Sequence, residues 1–235
     1  MQAVTLSLYR FGPLRARAWA LAQMGPARFA LARVPGIGFF KLCGSGTGEG
    51  FTPVPNTAVY GILATWPSSD IAADALANAR IFRRYAAMSE ERCTWQLTAC
   101  SARGRWSGIA PFDSTAPVPK GPIAALTRAT IKPSIMMKFW GRVPAISDVI
   151  GENDDVIFKI GVGEVPWFHQ VTFSVWPSTR AMDSFARASG PHARAIRAVR
   201  EGQWFSEELY ARFAVTEVTG TWEGRSMRDA LLQAA

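Results

Sequence analysis

The chain has 235 residues, of which 49% are apolar and 19% charged, enough apolar content to bury a sizeable core and too little charge for a disordered chain. A formal charge of +8 favours an anionic partner: phospholipid head groups, an acidic cofactor or nucleic acid. Without an extended basic run, zinc-finger spacing or an RNA-recognition signature, nucleic acid is the least supported of the three, and a scattered, solvating arginine surface is the plain alternative.

The expected elements alternate strand and helix. Thr5 to Phe11 reads as a strand, followed by a helical stretch from about Leu14 to Ala32 that Gly25-Pro26 should kink or break. A strand at Ile37 to Leu42 leads through the glycine-rich Gly44-Ser45-Gly46-Thr47-Gly48-Glu49-Gly50 to a strand at Thr57 to Trp66. A helix from Ser68 to about Met88 and a strand at Cys93 to Cys100 complete a βαββαβ order.

The second half repeats that order. Ile123 to Ile131 is a strand, Ser134 to about Ile150 a helix broken near Pro144, and Val156 to Ile160 and Phe168 to Trp176 are strands. A helix from Ser178 carries Met182, Phe185 and Ala186 on one side, and Leu209 to Trp222 is the final strand. A βαββαβ unit is the ferredoxin-like plan. The fold class expected is α+β: tandem ferredoxin-like repeats, residues 1–113 and 123–235, joined by a Pro-rich linker at 114–122, with their sheets face to face in an intrachain dimeric α+β barrel.

Internal repetition supports this division. The segment from Val59 to Asp70 aligns without a gap on the segment from His169 to Arg180, and both contain Trp-Pro-Ser. Phe40-Lys41-Leu42 and Phe158-Lys159-Ile160 precede the two copies, and Gly104-Arg105-Trp106-Ser107-Gly108 and Gly220-Thr221-Trp222-Glu223-Gly224 close them. Carried into the following helix, the same register sets Phe82 opposite His192.

The longest apolar runs are strand-length, below the roughly 18 residues of a membrane span, and no signal-peptide pattern opens the chain. Cys43, Cys93 and Cys100 have neither metal-site nor paired-disulfide spacing, which fits a reducing cytoplasm. The glycine string lacks the Lys-Ser or Lys-Thr of a P-loop and opens into no helix, so it reads as a hairpin connection or as backbone that approaches a flat cofactor or polyene.

The string from Phe40 to Tyr60, together with Leu126-Thr127-Arg128-Ala129-Thr130-Ile131 and the segment from Trp204 to Phe213, closely resembles the spheroidene monooxygenases of carotenoid-producing purple bacteria. The resemblance covers essentially the whole chain. It implies a haem-containing oxygenase that uses dioxygen and electrons from reduced ferredoxin to hydroxylate the C-2 position of an acyclic carotenoid such as spheroidene. A second hydroxylation and loss of water would give the 2-ketone, spheroidenone. A non-catalytic carotenoid or haem carrier, or a cofactor-independent oxygenase, is the alternative on the same barrel.

Such chemistry needs a cofactor, because no side chain activates dioxygen for attack on a C–H bond. Haem b iron takes an axial His, Cys, Met or Tyr, and the chain has two histidines. His192, after Gly190-Pro191, is the first candidate ligand, and an ordinary surface histidine is the bland alternative. His169 starts an alternating strand and could serve as a distal catalytic group or a rim residue. Cys43 is the third candidate, although a free cysteine is more often a small buried hydrophobe. Arg194, Arg197 and Arg200 beside His192, and Arg128 on its strand, could pair with haem propionates or simply solvate a surface. A polyene needs an apolar channel, for which Phe139, Trp140, Phe173, Trp176, Trp204 and Phe205 are candidates, with core packing as their plain role. Because a carotenoid resides in the bilayer, peripheral contact with the inner or photosynthetic membrane is also expected.

Overall fold

A computed structural model of the chain describes residues 1–141, 156–187 and 204–234. In the first half, β1 (Ala3–Arg10), α1 (Leu14–Gln23), α2 (Pro26–Leu31), β2 (Phe40–Gly46), β3 (Pro55–Trp66), α3 (Ser69–Asn78), α4 (Arg80–Met88) and β4 (Glu91–Gly104) follow one another. The second half has β5 (Ile123–Ile131), a 3-10 turn at Pro133–Ile135, α5 (Met136–Trp140), β6 (Phe158–Gly163), β7 (His169–Trp176), α6 (Thr179–Arg187), β8 (Phe205–Trp222), β9 (Arg225–Ser226) and α7 (Met227–Gln233). Residues 114–122 carry the chain between the halves without a helix or strand.

Strand order within the halves is β4-β1-β3-β2 and β6-β7-β5-β8, the ferredoxin-like order each time, and every pairing is antiparallel. As expected, the two sheets face each other across a shared interior, and they also join edge to edge. β4 pairs with β8 from Cys93 opposite Gly220 to Gly104 opposite Leu209, and β2 meets β6 at Gly44 opposite Gly163 and Ser45 opposite Val162. The resulting eight-stranded barrel closes along most of β4 and β8 and through a short two-pair seam between β2 and β6, which satisfies backbone groups that a lone ferredoxin-like sheet exposes.

Alternation along each strand then builds two kinds of core. Val4, Leu6, Leu8, Leu63, Trp95, Leu97, Leu126, Phe158, Ile160, Phe173, Val175 and Phe213 fill the barrel interior. On the outside of the first sheet, Tyr9, Phe11, Leu42, Tyr60, Ile62, Ala64 and Trp66 pack with Ile81, Phe82 and Tyr85 of α4 and Ala72 and Ala75 of α3. β1 and β3 are therefore buried on both faces, the reason the sequence from 57 to 66 is almost continuously apolar.

The repeated Trp-Pro-Ser has a physical explanation in both copies. Trp66 and Trp176 end their strands facing outward, against Phe82 at 6.1 Å and Phe185 at 5.1 Å between ring centroids. The proline ends strand pairing, and the serine caps the next helix: Ser68 Oγ accepts from Ile71 N at 3.4 Å and Ser178 Oγ from Ala181 N at 3.2 Å.

Four expectations need correction. The single helix foreseen over 68–88 is two, because Ala79 is extended at ψ 130°, and the bend returns Ile81, Phe82 and Tyr85 to the sheet. The Phe-Lys strings do not correspond. Phe40 opposes Ala64 while Phe158 opposes Val175, so Phe40 matches Lys159 and Leu42 matches Gly161. That one-residue slip exchanges the two faces of the strand. Part of the glycine string belongs to β2, and Gly50, at φ +90°, approaches the β6 backbone so closely that a Cβ would lie 1.7 Å from Gly161 O. Its glycine character serves closure of the barrel. Lastly, α7 was not foreseen; Ser226 caps it by accepting from Asp229 N at 3.2 Å.

Candidate functional site

The barrel interior is filled, so it is not the channel. Phe173 is fully buried, 6.0 Å from Trp95 and 6.2 Å from Phe158 between ring centroids, which makes it a core residue and corrects its place among the lining candidates. A cleft of about 260 Å³ opens at one end of the barrel beside β6, but Arg10, Glu49, Asn56, Lys159, Glu223 and Arg225 are among its lining residues. That polarity does not suit a hydrocarbon.

The opposite end is closed by charged groups from both halves. Glu164, just after β6, accepts from Lys41 Nζ at 2.9 Å and Trp106 Nε1 at 2.6 Å, and His169 Nδ1 lies 3.4 Å away without a formed hydrogen bond. Burial alone would raise the Glu164 carboxyl, but the Lys41 and Trp106 donors, with the His169 ring beside them, outweigh it and hold the group at about 2. Arg128 is buried against Glu207, which also accepts from Ser107 N at 2.9 Å and Gly108 N at 2.7 Å, holding its carboxyl below the usual range against the opposing pull of burial. The guanidinium stacks on Trp106 at 5.7 Å.

This arrangement has a twin at the other end. Arg10 lies over Trp222 at 4.8 Å and contacts Glu91 at 3.3 Å, and Glu91 accepts from Gly224 N at 2.9 Å. The two Gly-X-Trp-X-Gly turns share their backbone pattern, with φ of 104°, 55° and 75° at Gly104, Ser107 and Gly108, and 91°, 55° and 73° at Gly220, Glu223 and Gly224. Each half thus plugs one barrel end with a tryptophan turn held by the other half's fourth-strand glutamate and first-strand arginine. Arg128 is committed to that plug. It lies on the inward face, away from the outer surface of its sheet, and so does His169.

That outer surface separates the halves. Through strand register, Tyr9, Leu42, Tyr60 and Ile62 of the first sheet correspond to Ala129, Gly161, Gln170 and Thr172 of the second. The backbone of Gly50 occupies the position over Gly161, whereas the other three exchanges leave a strip of small and polar side chains, continued by Ala125, Thr127 and Ser174. Gln170 Nε2 is buried in it without a hydrogen-bond partner among the described residues. Phe51, Ile131, Phe139, Trp140 and Phe205 bound the strip at one end, and Ile123, Trp176, Met182 and Phe185 at the other. Trp140 is anchored by its Nε1, which donates to Trp167 O at 2.8 Å.

Of the candidate lining residues, Phe139, Trp140, Phe205 and Trp176 therefore fall in the two apolar clusters beside the strip, and Trp204 is buried near them with Lys138 Nζ 5.3 Å from its ring. Cys43 points into the barrel core, where burial pushes its thiol well above the ordinary range, unlike a thiolate ligand. His192, Arg194, Arg197 and Arg200 lie outside the described residues. Among the described residues, no group of three or more His, Cys, Asp and Glu could hold a bare metal ion. The strip residues escaped the sequence reading, although the ungapped alignment already set Tyr60 against Gln170 and Ile62 against Thr172; what was lacking was the face on which those exchanges lie.

No family model matches the chain. It is 50% identical over 227 residues to a spheroidene monooxygenase of Cereibacter sphaeroides, covering 96% of this chain and 70% of that protein. It is 47% identical to the spheroidene monooxygenase of Rhodobacter capsulatus, covering 96% and 95%, and 36% identical to that of Rubrivivax gelatinosus, covering 89% and 81%. Among solved structures, an aldoxime dehydratase superposes with a TM-score of 0.66 at 10% identity, covering 97% of this chain and 87% of the other. A second, in complex with butyraldoxime, gives 0.62 at 12% identity, covering 91% and 79%. At that identity the likeness shows the fold alone.

Proposed function

The chain belongs to the spheroidene monooxygenase family, and from that premise we propose that it hydroxylates an acyclic carotenoid such as spheroidene at C-2, with dioxygen and electrons from reduced ferredoxin, through a bound haem b. Each hydroxylation inserts one oxygen atom into a C–H bond and reduces the other to water. A second at the same carbon gives a geminal diol that loses water to the ketone.

The outer face of the second sheet supports the cofactor reading. A macrocycle is broad and flat, and it needs a floor of small side chains flanked by apolar walls. Ala129, Gln170 and Thr172 make such a floor where the first half is filled by Tyr9, Tyr60 and Ile62, and Gln170 Nε2 is a buried donor without a partner among the described residues. The residues present therefore fit the group. His192 is proposed as the residue that would hold the haem iron, since His169 lies at the barrel end beside Glu164 and Cys43 is held as a buried thiol. Arg194 and Arg197 are proposed as propionate partners, and Arg128 is not, being committed to Glu207. When bound, haem supplies the activation of dioxygen that no side chain can perform.

The remaining work falls to the chain itself. Phe139, Trp140 and Phe205 at one end of the strip, and Trp176 and Phe185 at the other, give apolar surface along which a polyene lies, excluding water from the reacting carbon. His169 is not proposed as the distal group, because its ring is on the inward face with Glu164. Its role is to help hold the closed barrel end.

The single observation that carries the function is family membership across 96% of the chain at 50% identity. Absorption spectra and turnover test it together. Purified protein is expected to show a Soret band that is lost in His192→Ala and kept in His169→Ala, and to convert spheroidene to products one and two oxidations further on. Return of spheroidene unchanged, with haem bound and reduced ferredoxin and dioxygen present, would leave a carrier; activity in colourless, iron-free protein would leave a cofactor-independent oxygenase.

A further inference from the structure

The first 48 residues contain six cationic side chains and no Asp or Glu. Structure gathers this bias onto one surface. α1 packs on α2, and α2 on α4, and none of the three helices carries an acidic residue. Arg15, Arg17, Arg28, Arg80, Arg83 and Arg84 lie on them, with Arg33 just beyond α2, and none of the seven is in an ion pair among the described residues. Glu90, beside Gly12, and Asp70 and Asp74 on α3 border the surface.

Large apolar side chains stand out from the same helices. Leu14 is 82% exposed, Leu21 58% and Phe29 73%. Leu14 and Leu21 are seven residues apart, on one side of α1, with exposed Ala18 between them. The buried positions Ala16 and Ala20 face the sheet, so α1 is apolar on both sides, which a helix needing only a core face does not require.

We propose that α1, α2 and α4 form the surface with which the protein docks on an anionic lipid bilayer, Leu14, Leu21 and Phe29 entering the acyl boundary and the arginines meeting lipid phosphates. Side chains that project singly from rounded helices suit insertion among lipid chains, and arginines with long apolar stems and charged heads suit the head-group layer around them. An acidic electron-donor protein would satisfy the arginines but leave the protruding Leu14 and Phe29 without a function. The inference deepens the reading of a membrane-resident polyene as substrate by naming the face that reaches the membrane.

Co-sedimentation of the whole protein with vesicles tests it without any carotenoid. Native protein is expected to pellet with phosphatidylglycerol-rich vesicles and not with pure phosphatidylcholine, and to be released at high salt. Leu14→Ser/Leu21→Ser/Phe29→Ser and Arg28→Gln/Arg33→Gln should each weaken partitioning by roughly tenfold or more while retaining native circular dichroism and activity on detergent-dispersed carotenoid. Native protein that stays in the supernatant with anionic vesicles, or variants that pellet like native, would overturn the proposal. So would an arginine variant that loses reduced ferredoxin binding and keeps vesicle binding. Vesicle binding together with no carotenoid turnover would sink the functional reading and leave the docking surface standing.

Discussion

Two outer faces of one duplicated sheet have diverged in opposite directions. On the first half, Tyr9, Tyr60 and Ile62 fill the space under α1 to α4, and Phe82 completes the packing against Trp66. On the second, Ala129, Gln170 and Thr172 stand at the matching positions between two aromatic clusters. The inward faces, by contrast, remain alike: both are apolar, and each barrel end receives a tryptophan turn with its glutamate and arginine. Duplication preserved what closes the barrel and released one outer surface from packing duty, which is where a ligand can be accommodated without dismantling the fold.

That contrast can be broken deliberately. The largest effect is expected from restoring the first half's residues in the second: Ala129→Tyr with Thr172→Ile should lower haem content per protein, read from Soret absorbance, by at least about tenfold with far-ultraviolet circular dichroism unchanged, because inserted bulk in a filled site is not accommodated. Native loading in that variant would move the cofactor elsewhere.

The converse exchange should lower stability and add no binding. Ile62→Thr removes buried apolar volume and buries a hydroxyl under α3 and α4, an expected loss of about 2–4 kcal/mol in denaturant unfolding. A stability change within experimental error would mean that the first outer face is not the packed surface described.

The smallest of the three concerns the inward barrel end that, among the described residues, only the second half supplies with a further glutamate. Glu164, held at about 2 against an ordinary value of 4.5, contributes stability that is fully present above pH 4.5 and is lost as pH falls through 4.5 toward 2. Glu164→Gln should therefore cost about 1–3 kcal/mol at neutral pH, with the difference from native protein shrinking below pH 4.5. A gap independent of pH would show that shape, not charge, is what Glu164 supplies.

Much of this architecture was legible in the chain. Trp-Pro-Ser marked strand end and helix cap twice, because each of its residues has a strong local preference, and Gly25-Pro26 marked a break that falls between α1 and α2. The α+β barrel followed from counting elements. Illegible were the register of β6, where two Phe-Lys strings invited an alignment one residue off, and the break at Ala79, which has neither Gly nor Pro to announce it. The polar plug was equally hidden: Lys41, Trp106, Glu164 and His169 are scattered single residues until closure brings them together.

What the chain determined alone was periodicity, capping and duplication, all of which depend on neighbours within a few residues. Which face each strand residue occupies, and therefore whether Thr172 points into the barrel core or onto the outer surface, was decided only by pairing of β5, β6 and β7 across the sheet. The reason is geometric: a strand's side chains alternate with a period of two, so a shift of a single residue inverts every assignment, and only long-range hydrogen bonding fixes that choice.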